Sequence, residues 1–429
     1  MSQFSAQEQY FLELVNRARM NPLGEAARYG ISLNEGLAAG TISSASKQVL
    51  APNSVLNTAA RAHSQHMIDV DQFNHSGIGD GTMQSRVEAV GYDWATLGEN
   101  LAWTSGNSIA SHHQNLFLSS GHRTNIFGSN FKEVGIGSLT GTYNYNGTPY
   151  SGSLMTTQNF GASSDAIFVT GVNYRESVSN DNFYTVGEAE TGRTVKLLAG
   201  SVTLVSGSTW TAGGFALKTS ATGSVEIVFS GGDLSAEKGA KFTLGNTNVK
   251  VDMVDSSTID ANVSITLTRG SYHAHLLGIN NISATGNSKG NYLYGNSGAN
   301  KIKGESGDDK LWGGKGADTM DGGSGADQYY YTSKSQGGDT ISSFDASDVF
   351  VFRGTAFGNL AATHDLSTTY FRTVHSGNSA GSTTKARFVF NDTDDTLWFD
   401  ADGTGVSAAS KIATFNHDTP LTAADIWIV

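Results

Sequence analysis

The chain has 429 residues, with 27 lysines and arginines against 39 aspartates and glutamates, which gives a formal net charge of −12. Nucleic acids and anionic membranes require clustered positive charge, so we predict no nucleic-acid partner. The absence of cysteine excludes disulfide bonds and thiolate zinc sites. At this length, about two to four domains are expected.

The sequence lacks an apolar run of about 18 residues, the length a membrane-spanning helix needs, so no transmembrane segment is predicted. Its beginning shows no basic segment followed by an apolar one, which predicts that no cleaved signal peptide is present. Either the protein is cytosolic or its export signal lies elsewhere in the chain.

The N-terminal region mixes helix and strand patterns. Ser5 and Glu8 form a capping-box pattern before apolar residues at helical spacing, and Pro22 ends this first helix. Two further helices are predicted, at about 54–70 and 108–119. Beyond them the pattern favours strands, with a turn at Asn146-Gly147. We therefore predict an α+β domain over residues 1–164.

From residue 165 the helical pattern stops, and short β-rich runs alternate with Gly, Ser and Thr turns. Residues 165–235 are predicted to form a small immunoglobulin-like β-sandwich that acts as a spacer. Residues 236–285 are predicted to be a β-rich connector. A repeat domain over 286–345 and a β-rich C-terminal region over 346–429 complete the predicted organisation.

A nine-residue repeat begins at Gly286. It gives five blocks without a slip: GNSKGNYLY, GNSGANKIK, GESGDDKLW, GGKGADTMD and GGSGADQYY. Glycine at positions 1, 2 and 4 permits positive φ and close backbone approach, and position 6 supplies a carboxylate or amide oxygen, the hard ligand that calcium prefers. A flexible linker is the alternative, and the apolar residue that recurs at position 8 argues against it.

Two blocks make one coil, so position 6 is predicted to stack on position 6 two blocks later. Stacked carboxylates repel unless a cation lies between them, so we expect calcium to drive folding. The blocks that carry aspartate are expected to bind most strongly. The predicted calcium-binding residues are Asp309, Asp318, Asp327, Asn300, Gly304, Gly307, Gly313, Gly316, Gly322 and Gly325.

The repeat resembles the repeats-in-toxin (RTX, haemolysin-type) proteins of Gram-negative bacteria. The resemblance implies a calcium-binding parallel β-roll and export through a type I ABC-exporter complex, which reads an uncleaved C-terminal signal. Residues 397–403 and 425–429 look like that signal region. The implied location is extracellular, either free or associated with the cell surface.

Residues 9–161 resemble the CAP superfamily (SCP-like domains) through an ordered set of motifs. The motifs include Leu12-Glu13-Leu14-Val15-Asn16-Arg17-Ala18-Arg19, Gly98-Glu99-Asn100, Ser120-Gly121-His122-Arg123-Thr124-Asn125-Ile126, Glu133-Val134-Gly135-Ile136-Gly137 and Gln158-Asn159-Phe160-Gly161. The resemblance implies an α-β-α sandwich around an antiparallel sheet, with a cleft lined by two histidines and two acidic residues. By motif position these are His75, Glu99, His122 and Glu133.

Such a cleft can bind zinc or another divalent cation, hold a lipid or other small apolar ligand, supply an acid and a base, or form a structural network. H-E-x-x-H is absent, and G-x-S-x-G matches at 286–290 and 377–381 do not lie at strand-to-helix turns. We therefore assign no catalytic residue. The leading hypothesis is a secreted calcium-binding protein with a ligand cleft, and a secreted hydrolase and a calcium-dependent surface adhesin are the alternatives.

Overall fold

The structure is a computed structural model. It describes residues 3–77, 79–106, 108–163, 166–378, 387–402, 409–416 and 421–429. Two compact units are present: unit 1 runs to residue 238 and includes 243–256, and unit 2 contains 239–242 and 257–429. Part of the second G-x-S-x-G match and the last residue of the segment 397–403 lie outside the described residues.

The first part of unit 1 is a sheet between helices. Within the described residues its helices are α1 (Ala6–Met20), α2 (Pro22–Arg28), α3 (Ser54–Asp69), α4 (Met83–Ala89), α5 (Ile109–Leu118) and α6 (Ser120–Ile126). Its strands are β1 (Ala51–Pro52), β2 (Thr96–Thr104), β3 (Glu133–Tyr145) and β4 (Thr148–Ala162). The order is β1-β3-β4-β2, antiparallel except for the short β1.

The predicted α-β-α arrangement is confirmed. Val134 and Ile136 on one face of the sheet join the core built with α1, α5 and α6, whereas Leu101 and Met155 on the other face pack with α3. The three predicted helices and the turn at Asn146-Gly147 are also confirmed. Helices α2, α4 and α6 were not predicted because each has only seven residues, too few to show a clear period.

Local sequence explains how α1 and α3 are placed. The Ser5 hydroxyl accepts the Glu8 backbone N–H, and the Glu8 carboxylate accepts the Ser5 N–H at 2.7 Å, so the capping box is present. Helix α3 lies directly on β3. A Cβ atom at Gly135 would lie 2.0 Å from the backbone of Leu56, so only glycine permits this approach.

The second part of unit 1 is a β-sandwich. The next strands in the chain are β5 (Ile167–Tyr174), β6 (Thr194–Ala199), β7 (Val202–Ser208), β8 (Gly214–Thr219), β9 (Gly223–Ser230), β10 (Lys238–Leu244) and β11 (Val249–Val254). In unit 1 they form the sheets β11-β5-β8 and β9-β6-β7, and Phe215 packs on Phe229 across them with ring centroids 5.7 Å apart. The predicted connector 236–285 contributes strands to both units.

Buried polar contacts join the two parts of unit 1. The ammonium group of Lys250 on β11 lies 2.6 Å from the carboxylate of Glu13 on α1 and 2.6 Å from that of Asp252. The Asn248 amide donates to the Val49 carbonyl at 3.0 Å. All of these polar side chains are buried, so the sandwich completes the surface that α1 leaves open.

Unit 2 contains a parallel β-roll. Its strands are β12 (Thr258–Ala261), β13 (Ile265–Thr268), β14 (His273–Leu276), β15 (Ser283–Thr285), β16 (Tyr292–Tyr294), β17 (Lys301–Ser306), β18 (Lys310–Trp312), β19 (Thr319–Ser324), β20 (Gln328–Tyr331), β21 (Asp339–Ser342) and β22 (Val349–Phe352). Alternate strands enter opposite sheets. In the repeat each strand pairs with the one 18 residues later, as Ile302 does with Met320. The parallel coils begin at residue 258, before the first nonapeptide.

The position-8 residues fill the thin interior, as predicted, and all are fully buried: Leu293, Ile302, Leu311, Met320 and Tyr329. The chain ends in β23 (Phe371–Val374), β24 (Phe388–Asn391), β25 (Thr396–Phe399), β26 (Ser410–Phe415) and β27 (Ile426–Ile428). Strands β26 and β27 extend the two sheets of the roll beside β21 and β22. Across the described residues, every helix is too short or too polar to cross a membrane.

Candidate calcium sites and the histidine–glutamate cleft

The position-6 side chains form two columns inside the roll. The Asp309 backbone N–H donates to Asp327 Oδ1 at 2.8 Å, and the Asn300 N–H donates to Asp318 Oδ1 at 2.7 Å. The predicted stacking of position 6 two blocks apart is therefore confirmed. Each carboxylate is tied through one oxygen to the backbone of the preceding coil.

Both columns continue beyond the nonapeptides to Asp339 and Asp348. Each accepts the backbone N–H of a position-6 aspartate 21 residues earlier, at 2.9 and 2.8 Å. The sequence pattern did not indicate them because the spacing changes from 18 residues to 21. Their second oxygens are closed by protein donors: the Tyr331 hydroxyl at 2.8 Å for Asp339, and the Asp345 N–H at 3.0 Å for Asp348.

The second oxygens of Asp309, Asp318 and Asp327 are different, because they are buried and no hydrogen-bond donor from the described residues reaches them. Burial raises the pKa of Asp309 to about 7 and that of Asp318 to about 6. A Cβ atom at Gly304 would lie 2.1 Å from Asp309 Oδ2, so the glycine leaves room beside the oxygen. Buried carboxylate oxygens without a donor fit a calcium ion.

The glycines of these three blocks have two roles. Gly304, Gly313 and Gly322 at position 1 lie against the aspartates, and the position-4 glycines adopt φ of 108°, 117° and 137°: Gly307, Gly316 and Gly325. No three His, Asp or Glu side chains of the described residues converge on one point. A calcium ion would therefore need backbone carbonyls as well as the aspartates.

Asn300 fits a different role. Its amide nitrogen donates to the Ile282 carbonyl at 3.0 Å, and its amide oxygen accepts the Asn296 N–H at 2.8 Å. Both ends of the side chain are thus engaged by protein groups. This geometry does not fit a calcium ligand, because a metal would have to displace satisfied hydrogen bonds.

In the N-terminal cleft, His75 meets Glu99. His75 Nδ1 lies 2.8 Å from Glu99 Oε1; the imidazole is 58% exposed, whereas the carboxylate is buried. The second Glu99 oxygen accepts from Arg86 Nη2 at 2.5 Å. Arg86 also donates to the backbone carbonyls of His75 and Gly81, at 3.2 and 3.0 Å, and so fixes the loop that carries His75.

The support of this cleft was not predicted. His63 on α3 is fully buried and bonded to Asp80, which lies 3.5 Å from Arg86. Burial and the Arg86 cation lower the pKa of His63, so it stays neutral at neutral pH. The helical period of α3 could have indicated that His63 is buried. Its partner Asp80 lies in a loop, whose position cannot be predicted from sequence periodicity.

His122 is half-buried, and its pKa is lowered by burial and by the charge of nearby His75. It therefore belongs to the same cleft as His75 and Glu99. The ligands of a zinc ion there would be the imidazoles of His75 and His122, because both Glu99 oxygens are already held by His75 and Arg86.

Glu133 has other partners. Its oxygens accept from the Asn53 amide at 2.6 Å and from the hydroxyls of Tyr92 and Ser163 at 3.0 Å each. Within the described part of the chain, none of its hydrogen bonds goes to His75 or Glu99. Of the four side chains expected to line one cleft, His75, Glu99 and His122 are therefore neighbours. Glu133 belongs to a separate network of hydrogen bonds.

Comparisons with known proteins agree with these two regions. The family model for the cysteine-rich secretory protein family, CAP, matches residues 12–160. The model for the RTX calcium-binding nonapeptide repeat matches four copies within 294–329. The chain carries a CAP domain and RTX calcium-binding repeats. The CAP domain contains His75, Glu99 and His122, and the RTX repeats contain the three aspartates whose second oxygens lack a donor.

Individual relatives cover parts of the chain. The Bacillus subtilis protein YkwD is 34% identical over 95 residues, which are 21% of this chain and 36% of that protein, so the chain spans about a third of its length. An extracellular protein containing an SCP domain from Bacillus anthracis is 25% identical, covering 27% of this chain and 34% of that one, with a TM-score of 0.21. The AlgE6R3 subunit of the Azotobacter vinelandii mannuronan C5-epimerase is 23% identical, covering 37% and 79%, with a TM-score of 0.23.

Proposed function

We propose that this calcium-binding protein is secreted through a type I exporter, that its RTX roll folds on calcium outside the cell, and that its CAP cleft binds a small apolar ligand. The observation that carries the proposal is the set of three buried aspartate oxygens without donors: those of Asp309, Asp318 and Asp327. The RTX repeats themselves imply calcium binding.

The calcium dependence of folding follows from the free-energy cost of burying these charged oxygens without a partner. An uncompensated buried charge costs several kcal/mol, which is a large share of the stability of an ordinary domain. A divalent cation between the columns removes that cost, and extracellular calcium modules bind at about 0.1–1 mM. The blocks that carry these aspartates would therefore stay unfolded at cytosolic calcium levels and fold outside the cell.

Calcium titration of the full chain, followed by calorimetry and circular dichroism, tests this step. Asp309→Asn should weaken calcium binding about tenfold or more, because it removes one carboxylate charge from the column. Asp308→Asn is the matched control: this exposed neighbour uses one oxygen to accept the Ala326 N–H, which an amide oxygen can also do. Equal calcium binding by the Asp309 variant and the control would contradict the proposal.

Export is tested in a Gram-negative host with and without a type I ABC exporter. The resemblance of the C-terminal segments to an RTX secretion region supports this part of the proposal. We expect the full chain in the medium only when the exporter is present. Equal amounts in the medium of both strains would show that another route carries the protein.

The proposed apolar ligand rests on the surroundings of His75. The same loop exposes Val70 and Phe73, which are 41% and 43% accessible to solvent. The exposed His75 imidazole can hydrogen-bond to the polar end of an apolar molecule.

A fluorescent fatty acid added to the full chain provides the binding measurement. Phe73→Ala should weaken its binding about tenfold through lost apolar contact. Leu23→Ala, which removes an exposed apolar side chain from α2, should leave binding unchanged. Absence of probe binding to the unmodified chain, or equal loss in both variants, would reject the cleft as the ligand site.

Hydrolysis is the second candidate because one observation favours it. Glu99 holds Nδ1 of His75, which leaves Nε2 on the solvent side, the arrangement of a general base oriented by a carboxylate. The full chain and the His75→Gln variant can be compared on a broad peptide library. Cleavage that disappears in the variant would favour the hydrolase over the ligand-binding protein.

A further inference from the structure

We propose that the first two nonapeptide blocks, residues 286–303, fold without calcium and form a template on which the calcium-dependent blocks, residues 304–330, assemble. The inference deepens the proposed function and rests on its calcium dependence. It divides the repeat into two kinds of loop, which the common nine-residue pattern conceals.

The two kinds of loop differ in backbone conformation. In the last three blocks, position 2 has φ of 79° at Glu305, 95° at Gly314 and 100° at Gly323, and the position-4 glycines are positive as well. In the first two blocks, Asn287 and Asn296 at position 2 have negative φ. The same nine-residue spacing therefore supports two loop conformations.

The different loops change the environment of position 6. In the first two blocks the position-2 N–H turns toward the amide oxygen of position 6: Asn287 donates to Asn291 at 2.7 Å, and Asn296 donates to Asn300 at 2.8 Å. In the part of the chain that the structure describes, no such donor reaches the second oxygen of the three aspartates. The first two blocks thus supply from the backbone the contact that the later blocks lack.

The side-chain amide nitrogens of the two position-6 asparagines are also hydrogen-bonded within the protein. Asn291 Nδ2 donates to the Tyr272 carbonyl at 2.9 Å, and Asn300 Nδ2 donates to the Ile282 carbonyl at 3.0 Å. Each links its block to the preceding coil without any net charge. A neutral amide with both ends satisfied carries no desolvated charge, so these coils have no electrostatic need for a cation.

Two further contacts hold the first coils together without calcium. Aromatic side chains join the first coils on one sheet: His273 stacks on Tyr292 with ring centroids 4.3 Å apart, and His275 contacts Tyr294 edge to face at 4.1 Å. On the other sheet, residues 239–241 pair antiparallel with β13 and cover its edge. Stacked rings and a paired edge favour a stable first coil.

Hydrogen–deuterium exchange of the full chain, with calcium and with a chelator, tests the template. In chelator we expect amides of 258–294 to stay protected and those of 310–331 to exchange about tenfold faster or more; calcium should protect both. Loss of protection in both segments in chelator would overturn the template and leave the calcium dependence intact. Protection of both segments in chelator would overturn the proposed calcium dependence of folding, and with it the division of the repeat into calcium-independent and calcium-dependent blocks.

A pair of Asn→Asp variants sharpens the test. Asn291→Asp puts a carboxylate against the Tyr272 carbonyl, and it should speed exchange of 273–294 in chelator about tenfold. Asn281→Asp is the matched control, because the exposed Asn281 uses its oxygen to accept the Ala299 N–H, which a carboxylate can also do. Equal exchange of 273–294 in both variants would contradict the role assigned to Asn291.

Discussion

Glu305 occupies a position where the other calcium-binding blocks have glycine. Its φ is 79°, in the left-handed region, which costs an L-residue about 1–2 kcal/mol. Its carboxylate pairs with Lys303 at 3.0 Å, but both side chains are substantially exposed, so this ion pair contributes little. The backbone conformation therefore outweighs the ion pair at this residue.

Glu305→Gly should stabilise the calcium-loaded roll by up to about 1 kcal/mol, since the relief of strain exceeds the added flexibility of the unfolded chain. Glu305→Gln keeps the strained backbone and removes only the charge, so it should be close to neutral. Denaturant unfolding in saturating calcium measures both variants. If Glu305→Gly is no more stable than Glu305→Gln, the backbone of Glu305 is not strained.

Gly322→Ala should weaken calcium binding. A Cβ atom there would lie 2.1 Å from Asp327 Oδ2, in the space beside the open oxygen, so we expect a large loss of calcium affinity. Gly245→Ala serves as the control because a Cβ atom there meets nothing within 4 Å. Calorimetric calcium titration compares the two, and unchanged affinity in the Gly322 variant would contradict the assigned site.

The calcium column and the CAP cleft differ in how far sequence predicts them. Asp309 and Asp327 could be paired in advance because a fixed repeat fixes their register. The contact of Arg86 with Glu99 depends on a loop with no period, so the motif identified Glu99 but not its partner. Glu133 was assigned by motif position alone, and its side chain turns to other partners.

At the scale of elements, β11 shows where local patterns stop being informative. Its alternating sequence predicts a strand, but its parallel partner β5 lies about 80 residues earlier, and nothing in the sequence marks that pairing. The five-part domain organisation remains a prediction. What the structure adds is that Lys250 of this strand pairs with Glu13 of α1 in a buried ion cluster.

That pairing predicts the behaviour of a fragment. Residues 1–164 lack Lys250 and Asn248, so Glu13 loses its cation and the apolar surface around it becomes exposed. We expect this fragment to melt at least several degrees below residues 1–256. Thermal unfolding of the two fragments provides the comparison, and equal melting temperatures would show that the sandwich does not support the CAP domain.

The same cluster predicts a pH dependence. Burial, with a further contribution from Glu13, raises the pKa of Asp252 to about 7 against a usual value near 3.8, even though Lys250 opposes the shift. Between these values the folded state binds more protons than the unfolded state, so this group's contribution to stability falls as the pH rises. Denaturant unfolding of residues 1–256 from pH 5 to pH 7.5 should show that decline, and Asp252→Asn should flatten it.

At the scale of the whole molecule, the two units are stabilised in different ways. Unit 1 has an apolar core around its sheet, whereas unit 2 encloses the columns of carboxylates. Chelation should therefore lower the melting transition of unit 2 and leave that of unit 1 in place. Scanning calorimetry with and without calcium resolves the two, and a joint shift of both transitions would contradict their independence.

The 18-residue register of the roll also limits how such a protein can lengthen in evolution. A duplication of two blocks adds one whole coil and returns every later strand to its own sheet. A duplication of one block would instead send each later strand, β26 and β27 included, to the sheet opposite to its present one, so the C-terminal strands would exchange sheets relative to the first coils. Homologous rolls whose first coils and C-terminal strands keep their present sheets should therefore differ in length by pairs of blocks.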